Sequence, residues 1–324
     1  MTSSDYYWNS YAHFSIHEEM LKDEVRTLNY RKSILDNSHL FKDKIVLDVG
    51  CGTGILSMFA AKAGAKHVYA VDCSDIIHQA KQIILDNGFK DQITLIQEKV
   101  EDLKLPCKVD IILSEWMGYF LLYESMLNTV IYARDHFLKE GGILMPDKAN
   151  MYIAGIEDSE YKQDKVEFWD DVYGFNMSAI KKMAYQEPLV DTVEANSQLT
   201  TASKFMSIDL NTVKVEELTF SKPFSCKVTR KDNMHAFLAW FDVEFSRCHK
   251  PVFISTAPSA PYTHWKQTVF YVHDILRVTP GEVINGVLTC SPNAKNPRDL
   301  DIQIEMHYDG KEQKVHKKQE YLLR

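Results

Sequence analysis

The first half of the chain alternates short apolar runs with segments whose apolar residues recur at helical spacing. Apolar runs of strand length occur at 44–50, 67–71, 93–97, 109–113 and 143–145. Helical spacing follows at 55–63, 75–87 and 126–137, and two of these segments end at a glycine, Gly64 and Gly88. Strands that alternate with helices predict a parallel, doubly wound α/β sheet.

The pattern changes after Pro146, which marks a domain boundary. Apolar and polar residues alternate at 150–156, 225–229, 236–245, 267–272, 283–290 and 300–308, which predicts an antiparallel sheet or barrel. A segment at 161–185 interrupts these strands, has helical spacing and carries many aromatic residues. Its apolar side chains need a partner surface, which either packing within the chain or self-association would supply.

The residues before the first strand combine an aromatic and an amphipathic segment. Tyr7, Trp8 and Tyr11 predict either a helix packed on the core or a lid that closes over a ligand by stacking. Residues 16–35 predict one or two amphipathic helices. We expect their buried face to carry Ile16, Met20, Leu21, Val25, Leu28 and Ile34. We expect the surface to carry His17, Asp23 and Arg26.

A glycine-rich turn, Gly-Cys-Gly-Thr-Gly at 50–54, follows the first predicted strand. Glycines permit a tight turn and let a nucleotide-like ligand approach the backbone closely. Ile55 stands where a dinucleotide fingerprint needs its third glycine, which disfavours a nicotinamide cofactor. Asp48, at the strand end, suits an ammonium group better than a pyrophosphate. Asp72 ends the second strand about twenty residues past the turn, where a carboxylate accepts hydrogen bonds from a ribose diol.

Two glutamates, Glu115 and Glu124, lie among aromatic and aliphatic residues in the loop after the fourth strand. A carboxylate withdrawn from water is costly unless a cation meets it, and this loop has no Lys or Arg. The glutamates therefore either point to solvent or cradle a cationic group, with positive charge supplied by distant residues or by a ligand. Because the carboxyl ends of parallel strands share one edge, we expect one crevice to be lined by Gly50, Asp72, Glu101 and Glu115.

Composition narrows the class of protein. The chain has 324 residues, enough for about two domains, and its net charge of -8 disfavours unspecific binding to nucleic acid or anionic membranes. The six cysteines show no Cys-x-x-Cys spacing and no leader pattern is evident, so we expect a reducing, intracellular setting without secretion or membrane insertion. No paired Cys/His spacing predicts a metal site, and His264 lies in a loop that could face solvent or the crevice.

Four motifs connect the chain with a known family. They are Val-Leu-Asp-Val-Gly-Cys-Gly-Thr-Gly at 46–54, Ser-Glu-Trp-Met-Gly-Tyr at 114–119, Tyr-Glu-Ser-Met at 123–126 and Thr-His-Trp at 263–265. Over 6–324 the chain resembles a type I protein arginine N-methyltransferase. The resemblance implies an α/β + β fold: a doubly wound Rossmann-like domain that binds S-adenosylmethionine, then a β-barrel with an inserted helical dimerisation arm. It places helices that close over the cofactor at 1–36, the sheet domain at 37–146, the barrel at 147–324 and the arm at about 158–187.

The same resemblance assigns roles to residues at matching positions. It implies that Glu115 and Glu124 are catalytic and hold the substrate guanidinium. His264, paired with Asp23, is implied to relay a proton, with Glu124 as the other candidate. The implied cofactor-binding residues are Tyr11, His17, Arg26, Asp48, Gly50, Gly52, Asp72, Glu101 and Met126. The implied further substrate-binding residues are Tyr7, Met20, Tyr119 and Trp265.

The cofactor implied by the resemblance is S-adenosyl-L-methionine, which leaves as S-adenosyl-L-homocysteine, and no metal takes part. Arg26 is implied to meet the cofactor carboxylate and Asp48 its amino end. Asp72 is implied to bind the ribose hydroxyls and Glu101 the adenine amine. The chain departs from the family at Asp72, where glutamate is usual, and at Trp8, where phenylalanine is usual.

The resemblance further implies methylation of proteins, to monomethylarginine and asymmetric dimethylarginine. The implied substrates are Arg-Gly-rich RNA-binding proteins and histone tails, and the implied partner is a second copy docked through the arm, with larger oligomers left open. We expect no direct binding of nucleic acid or membrane, and a location in cytoplasm and nucleus. Two alternatives stay open: a methyltransferase with the same cofactor for another basic or nucleic-acid substrate, and a noncatalytic scaffold of the same fold.

Overall fold

The computed structural model describes residues 13–324. Tyr7, Trp8 and Tyr11 lie outside the described residues, so the choice between core helix and lid stays a prediction. The described part begins with three helices, α1 (Phe14–Lys22), α2 (Glu24–Leu35) and α3 (Ser38–Phe41). Within 13–324 no helix is both long enough and apolar enough to cross a membrane.

A five-stranded parallel sheet forms the first half of the fold. Its elements are β1 (Ile45–Val49), α4 (Ile55–Lys62), β2 (His67–Asp72), α5 (Ile77–Asp86), β3 (Ile93–Gln97), β4 (Val109–Ser114), α6 (Met126–Phe137) and β5 (Leu138–Met145). The strand order is β3-β2-β1-β4-β5 with every pair parallel, which confirms the predicted doubly wound sheet. The order reverses between β1 and β4, and ligands of such sheets bind in the crevice at this point.

Antiparallel strands form a barrel-like second half, as predicted. They are β6 (Lys148–Ile156), β7 (Leu189–Asp191), β8 (Ser203–Asp209), β9 (Phe220–Lys227), β10 (Asp232–Phe245), β11 (Val252–Ser255), β12 (Gln267–Val278), β13 (Val283–Pro292), β14 (Leu300–Asp309) and β15 (Lys314–Leu323). One sheet has the order β7-β12-β10-β6-β8, with β11 on β10, and the other β15-β14-β13-β9. Aromatic rings join the sheets: Phe224 packs edge-on against Phe237, and Phe270 against Tyr321.

Strands β7, β8, β11 and β15 are absent from the sequence prediction. β15 reads Lys-Val-His-Lys-Lys-Gln-Glu-Tyr-Leu-Leu, and its many polar residues obscure the alternation that buries Val315, Tyr321 and Leu323. β7 and β11 are three and four residues long. They become strands because they pair with the longer β12 and β10, which no local pattern reveals.

The segment predicted as helical at 161–185 is helical only in part. It contains α7 (Ser159–Lys165), short 3-10 turns at Glu167–Asp170 and Ser178–Ile180, and α8 (Lys181–Gln186). A turn at Tyr173 and Gly174, whose φ angles of 53° and 86° are left-handed, separates the two helical parts and lies between the bridged residues Val172 and Phe175. Tyr173 is 94% exposed and Phe175 68% exposed, so packing within the described chain leaves the tip of this segment uncovered.

Helices α1 and α2 reverse the predicted exposure of five side chains, although Ile34 is fully buried as predicted. Leu21 and Leu28, expected on the buried face, are 38% and 51% exposed. His17, Asp23 and Arg26, expected at the surface, are buried. The prediction for these five residues is wrong because the helices cover a polar crevice, where buried polar side chains find hydrogen-bond partners.

Candidate active site

The glycine turn after β1 holds a backbone shape that residues with side chains rarely adopt. Gly50 and Gly52 have φ angles of 73° and 53°. The Gly50 N–H donates to the Val71 carbonyl oxygen and the Gly52 N–H to Asp72 Oδ2, each at 2.9 Å. A Cβ at Gly50 would lie 2.7 Å from Met126 Cε. The left-handed φ angles of this turn favour glycine, which also lets a ligand approach the backbone closely.

Two adjoining cavities open at this turn and share Gly50, Asp72 and Met126. The larger cavity is also lined by the predicted site residues His17, Met20, Arg26, Gly52, Glu115, Glu124 and His264. The smaller cavity is also lined by Glu98, Lys99, Val100, Glu101 and Thr129. The four residues predicted to line one crevice are divided between these adjoining cavities: Gly50 and Asp72 line both, Glu115 the larger and Glu101 the smaller.

Asp48 and Asp72 differ in their access to the cavities. Asp48 is fully buried, accepts a hydrogen bond from Ser57 Oγ at 2.6 Å and lines neither cavity. Burial raises the pKa of Asp48 to about 7, against the hydrogen bond from Ser57 and together with the nearby charge of Asp72. Asp72 lines both cavities, and its Oδ1 accepts the Ser74 N–H at 2.8 Å and Ser74 Oγ–H at 2.7 Å. The contacts of both acids with a cofactor stay predictions.

Glu115 is paired with an arginine from the N-terminal helices. Its Oε2 lies 3.0 Å from Arg26 Nε, and both side chains are 7% exposed. Its Oε1 accepts the Met117 N–H at 3.2 Å, while Arg26 Nη1 donates to the Met20 carbonyl oxygen at 3.3 Å. The alternative in which Glu115 points to solvent is therefore wrong, because a residue distant in sequence supplies the charge that the loop lacks. The contact of Arg26 with a cofactor carboxylate stays a prediction.

The double-glutamate loop, residues 115–125, has a strained backbone that the sequence pattern does not reveal. Four non-glycine residues have φ angles between 50° and 73°: Phe120, Leu121, Glu124 and Ser125. Each such residue costs about 1 kcal/mol or more. Gly118 permits the tight turn, because a Cβ there would lie 2.1 Å from the Tyr123 carbonyl oxygen.

Hydrogen bonds from distant elements hold this loop in place. The Tyr30 hydroxyl, on α2, donates to the Ser114 carbonyl oxygen at 2.8 Å. Trp265 Nε1 donates to the Met117 carbonyl oxygen, also at 2.8 Å. The carbonyl oxygens of residues 297–298, in the barrel, accept two more bonds from the end of the loop. Tyr30 and residues 297–298 are absent from the sequence prediction because no local pattern links positions so far apart.

His264 and Asp23 meet at the larger cavity. His264 Nδ1 lies 2.6 Å from Asp23 Oδ2, and the His264 backbone N–H donates to the same oxygen at 2.9 Å. Burial acts to raise the pKa of Asp23, but hydrogen bonds from the His264 side chain and from the Arg26 and His264 N–H groups outweigh it and lower this pKa. Asp23 therefore stays ionised and orients the His264 ring.

Tyr119 and Trp265, both implied to contact substrate, differ in how far they are buried. Tyr119 is 36% exposed, and its ring stacks with that of Tyr123 at a centroid distance of 6.3 Å. Trp265 is 2% exposed, packs edge-on against Phe241 and lines neither cavity. The structure gives Trp265 a supporting contact with the double-glutamate loop, and direct contact with substrate stays a prediction for both residues. Across residues 13–324 no group of three His, Cys, Asp or Glu could hold a metal ion.

Two family models match the chain. The arginine methyltransferase oligomerization subdomain matches residues 147–313, and ribosomal protein L11 methyltransferase (PrmA) matches 33–168. Protein arginine N-methyltransferase 1 of Chlamydomonas reinhardtii is 59% identical over 324 residues, covering 100% of this chain and 94% of that protein. The protein of the same name from Schizosaccharomyces pombe is 60% identical over 313 residues, covering 96% and 92%.

Solved structures share the whole fold. The Trypanosoma brucei PRMT1 enzyme-prozyme heterotetrameric complex with AdoHcy has a TM-score of 0.95 at 50% identity, covering 97% of this chain and 100% of that one. Arabidopsis thaliana protein arginine methyltransferase 10 has a TM-score of 0.89 at 30% identity, covering 98% and 100%. The parallel sheet with its glycine turn is that of a methyltransferase. The chain belongs to the protein arginine methyltransferase family.

Proposed function

We propose that this protein is a type I enzyme that transfers methyl groups from S-adenosyl-L-methionine to the terminal guanidino nitrogens of arginine in proteins. Its products are monomethylarginine and asymmetric dimethylarginine. One observation carries the proposal: Glu115 and Glu124 line the same cavity as the glycine turn. A cationic side chain and a methyl donor would meet there, and the pair of carboxylates would repay the desolvation of the cation.

The residues of the two cavities fit the cofactor, which supplies an electrophilic methyl group on its sulfonium. We assign Gly50 and Gly52 to close approach of the backbone, because their left-handed φ angles favour glycine and a Cβ at either position would crowd Met126 or His17. Asp72 is assigned to the ribose hydroxyls and Glu101 to the adenine amine. Thr129 Oγ1 donates to Glu101 Oε1 at 3.0 Å and holds this carboxylate at the smaller cavity. The remaining assigned residues of the cavities are His17, Arg26 and Met126. Asp48 lines neither cavity, and its contact with the cofactor stays a prediction.

The glutamate pair remedies the poor reactivity of the substrate. A guanidinium has a pKa above about 12 and no free lone pair. Glu115 and Glu124 draw its positive charge toward the nitrogens that they bind, which leaves the remaining terminal nitrogen better able to donate electrons. Arg26 fixes the orientation of Glu115, and a fixed orientation of the reacting nitrogen supplies much of the acceleration.

The proton released from the substrate has two candidate acceptors, His264 and Glu124. Asp23 binds His264 Nδ1 and leaves the other ring nitrogen for proton transfer. A carboxylate that ordinarily titrates near pH 4 cannot deprotonate a free guanidinium. Orientation and charge redistribution therefore come first, and proton loss accompanies or follows methyl transfer.

Transfer of labelled methyl groups tests the substrate class. We expect an Arg-Gly-rich peptide to be labelled and RNA not, and mass spectrometry of the product to show asymmetric dimethylarginine. Labelling of RNA or of a small basic molecule in place of the peptide would favour the alternative methyltransferase. Failure to bind S-adenosylmethionine in a titration would favour the noncatalytic scaffold.

We further propose that the protein forms a homodimer through the arm at 158–187. Exposed Tyr173 and Phe175 at its tip, and the match to a family oligomerization subdomain, support this proposal. Changing both residues to Ser should convert the dimer to monomer in sedimentation velocity. The matched control is Phe253→Ser, at an exposed position of β11. A dimer that persists in the Tyr173 and Phe175 variant would exclude the arm as the interface.

Two finer expectations are also proposals. Arg-Gly-rich RNA-binding proteins and histone tails are the proposed substrates by resemblance to the family, and the net charge of -8 is compatible with basic partners. Cytoplasm and nucleus are the proposed locations, as the resemblance to the family implies. Methylation of each substrate class in vitro and fluorescence microscopy of the tagged chain test these expectations.

A further inference from the structure

The barrel contacts the end of the double-glutamate loop through the segment 293–299, which joins β13 to β14. The Glu124 N–H donates to the Arg298 carbonyl oxygen at 2.8 Å, and Ser125 Oγ donates to the Pro297 carbonyl oxygen at 2.6 Å. Glu124 and Ser125 have left-handed φ angles of 73° and 60°. Such strain persists only where surrounding structure holds it, and these two bonds act directly on the strained residues.

Asn293 fixes the shape of this barrel segment. Its Oδ1 accepts the backbone N–H of Lys295 at 2.9 Å and of Asn296 at 3.1 Å. Its Nδ2 donates to both carboxylate oxygens of Asp301, each at 3.0 Å. Both the acceptor and the donor ends of the amide are therefore engaged, so the side chain sets the start of the segment in one conformation.

Asp299 fixes the other end of the segment. Its carbonyl oxygen accepts the Asn293 N–H at 2.9 Å, and its Oδ1 accepts Asn296 Nδ2–H at 2.8 Å. Its Oδ2 lies 3.2 Å from Arg324 Nη1, and the Asp299 side chain is only 13% exposed. Neither Asn293 nor Asp299 lines either cavity. Their hydrogen bonds therefore do not act on the cavity by direct contact, and the backbone of residues 297–298 connects them with Glu124 and Ser125.

We propose that Asn293 and Asp299 are positioning residues for Glu124. They hold the carbonyl groups of Pro297 and Arg298 where these fix the Glu124 backbone, and so aim its carboxylate at the substrate guanidinium. The inference rests on the proposed function, in which Glu124 binds that guanidinium. A displacement of about 1 Å at a reacting group lowers turnover by up to about 100-fold, so loosening the segment should lower kcat without loss of cofactor binding.

Asn293→Ala, with Asn211→Ala as matched control, tests the proposal. Asn211 lies in the turn after β8, donates through Nδ2 to Asp209 Oδ1 at 2.8 Å and lines neither cavity. We expect Asn293→Ala to lower kcat for an Arg-Gly peptide about 10-fold, with the dissociation constant of S-adenosylmethionine changed less than about twofold. Asn211→Ala should match the wild type in both. Equal kcat in the two variants would overturn the proposal.

A double-mutant cycle separates positioning from a general structural role. The peptide dissociation constant, measured with S-adenosyl-L-homocysteine present, should rise in Asn293→Ala. In the double variant with Glu124→Gln it should equal the value for Glu124→Gln alone. Additive effects would overturn the positioning role while leaving the proposed function intact. Unchanged peptide binding and turnover in Glu124→Gln alone would overturn the proposed function itself. Asp299→Asn, which keeps the side-chain shape, replaces Asn293→Ala in the cycle should that variant not fold.

Discussion

The glycine turn after β1 and the double-glutamate loop after β4 lie at the same edge of one sheet but hold their shapes differently. The turn places glycines at its left-handed positions and is tied to Asp72, 20 residues along the chain. The loop places Phe120, Leu121, Glu124 and Ser125 at left-handed positions, and one of its anchors is 172 residues away. The glycine turn is therefore held within the sheet domain, whereas the double-glutamate loop needs contacts from both domains.

This difference has a functional consequence. Damage to the loop or its barrel contacts should impair substrate positioning and spare cofactor binding, because none of those contacts involves the glycine turn. Damage to the turn should do the reverse. A single variant, in the turn or in the loop, that impaired cofactor binding and substrate positioning equally would contradict this division.

The largest effect is expected for Glu124→Gln. This variant keeps the side-chain shape but removes the negative charge that faces the guanidinium, so we expect turnover to fall about 1000-fold. Isothermal titration should show S-adenosylmethionine binding as in the wild type, because Glu124 belongs to the loop side. Intact turnover would remove Glu124 from the chemistry.

A matched pair of glycine substitutions tests the two sides against each other. Gly118→Ala would place a Cβ 2.1 Å from the Tyr123 carbonyl oxygen and should lower kcat more than about 100-fold with cofactor affinity retained. Gly52→Ala would place a Cβ 3.2 Å from the His17 ring at a φ of 53°. Gly52→Ala should weaken S-adenosylmethionine binding about 10-fold, and its kcat at saturating cofactor should equal that of the wild type. Identical kinetic profiles for the two variants would refute the division.

A smaller effect is expected where the two sides meet, at His264. His264→Ala removes the proposed proton relay and should lower kcat about 100-fold or less. It also removes the side-chain hydrogen bond that lowers the pKa of Asp23, while the bond from the backbone N–H of residue 264 remains. Asp23 stabilises the fold above its unfolded pKa and loses that effect as pH falls through its folded pKa. The variant should therefore lose stability at neutral pH and less in acid. His39→Ala, at an exposed position, is the control for both measurements.

The smallest effect on turnover is expected for Asp48→Asn, because Asp48 lines neither cavity, and its effect is instead on the pH dependence of stability. Because burial raises the pKa of Asp48 to about 7, the folded chain binds more protons than the unfolded one between about pH 4 and 7. The wild type should therefore lose stability, by up to about 4 kcal/mol, as pH rises through this window. Asp48→Asn should abolish this loss in thermal unfolding, while exposed Asp91→Asn should keep it. The same pH dependence in Asp48→Asn and wild type would contradict the assignment.

The sequence predicts those parts of the site that are local. The glycine turn and Asp72 follow from spacing along two consecutive strands, and the antiparallel half follows from alternation. The burial of Arg26 could not be predicted, because periodicity shows which residues share a helix face but not that the face covers a polar crevice. Tyr30 and the segment 293–299 could not be found either, since their hydrogen bonds to the loop depend on how the two domains pack.

The most direct test is a crystal structure of the protein with S-adenosyl-L-homocysteine and an arginine peptide. We predict that Glu115 and Glu124 both hydrogen-bond the substrate guanidinium, with one terminal nitrogen directed at the cofactor sulfur, and that Arg298 keeps its bond to Glu124. Carboxylates turned away to solvent, with water between them and the cofactor cavity while both ligands are bound, would contradict the account.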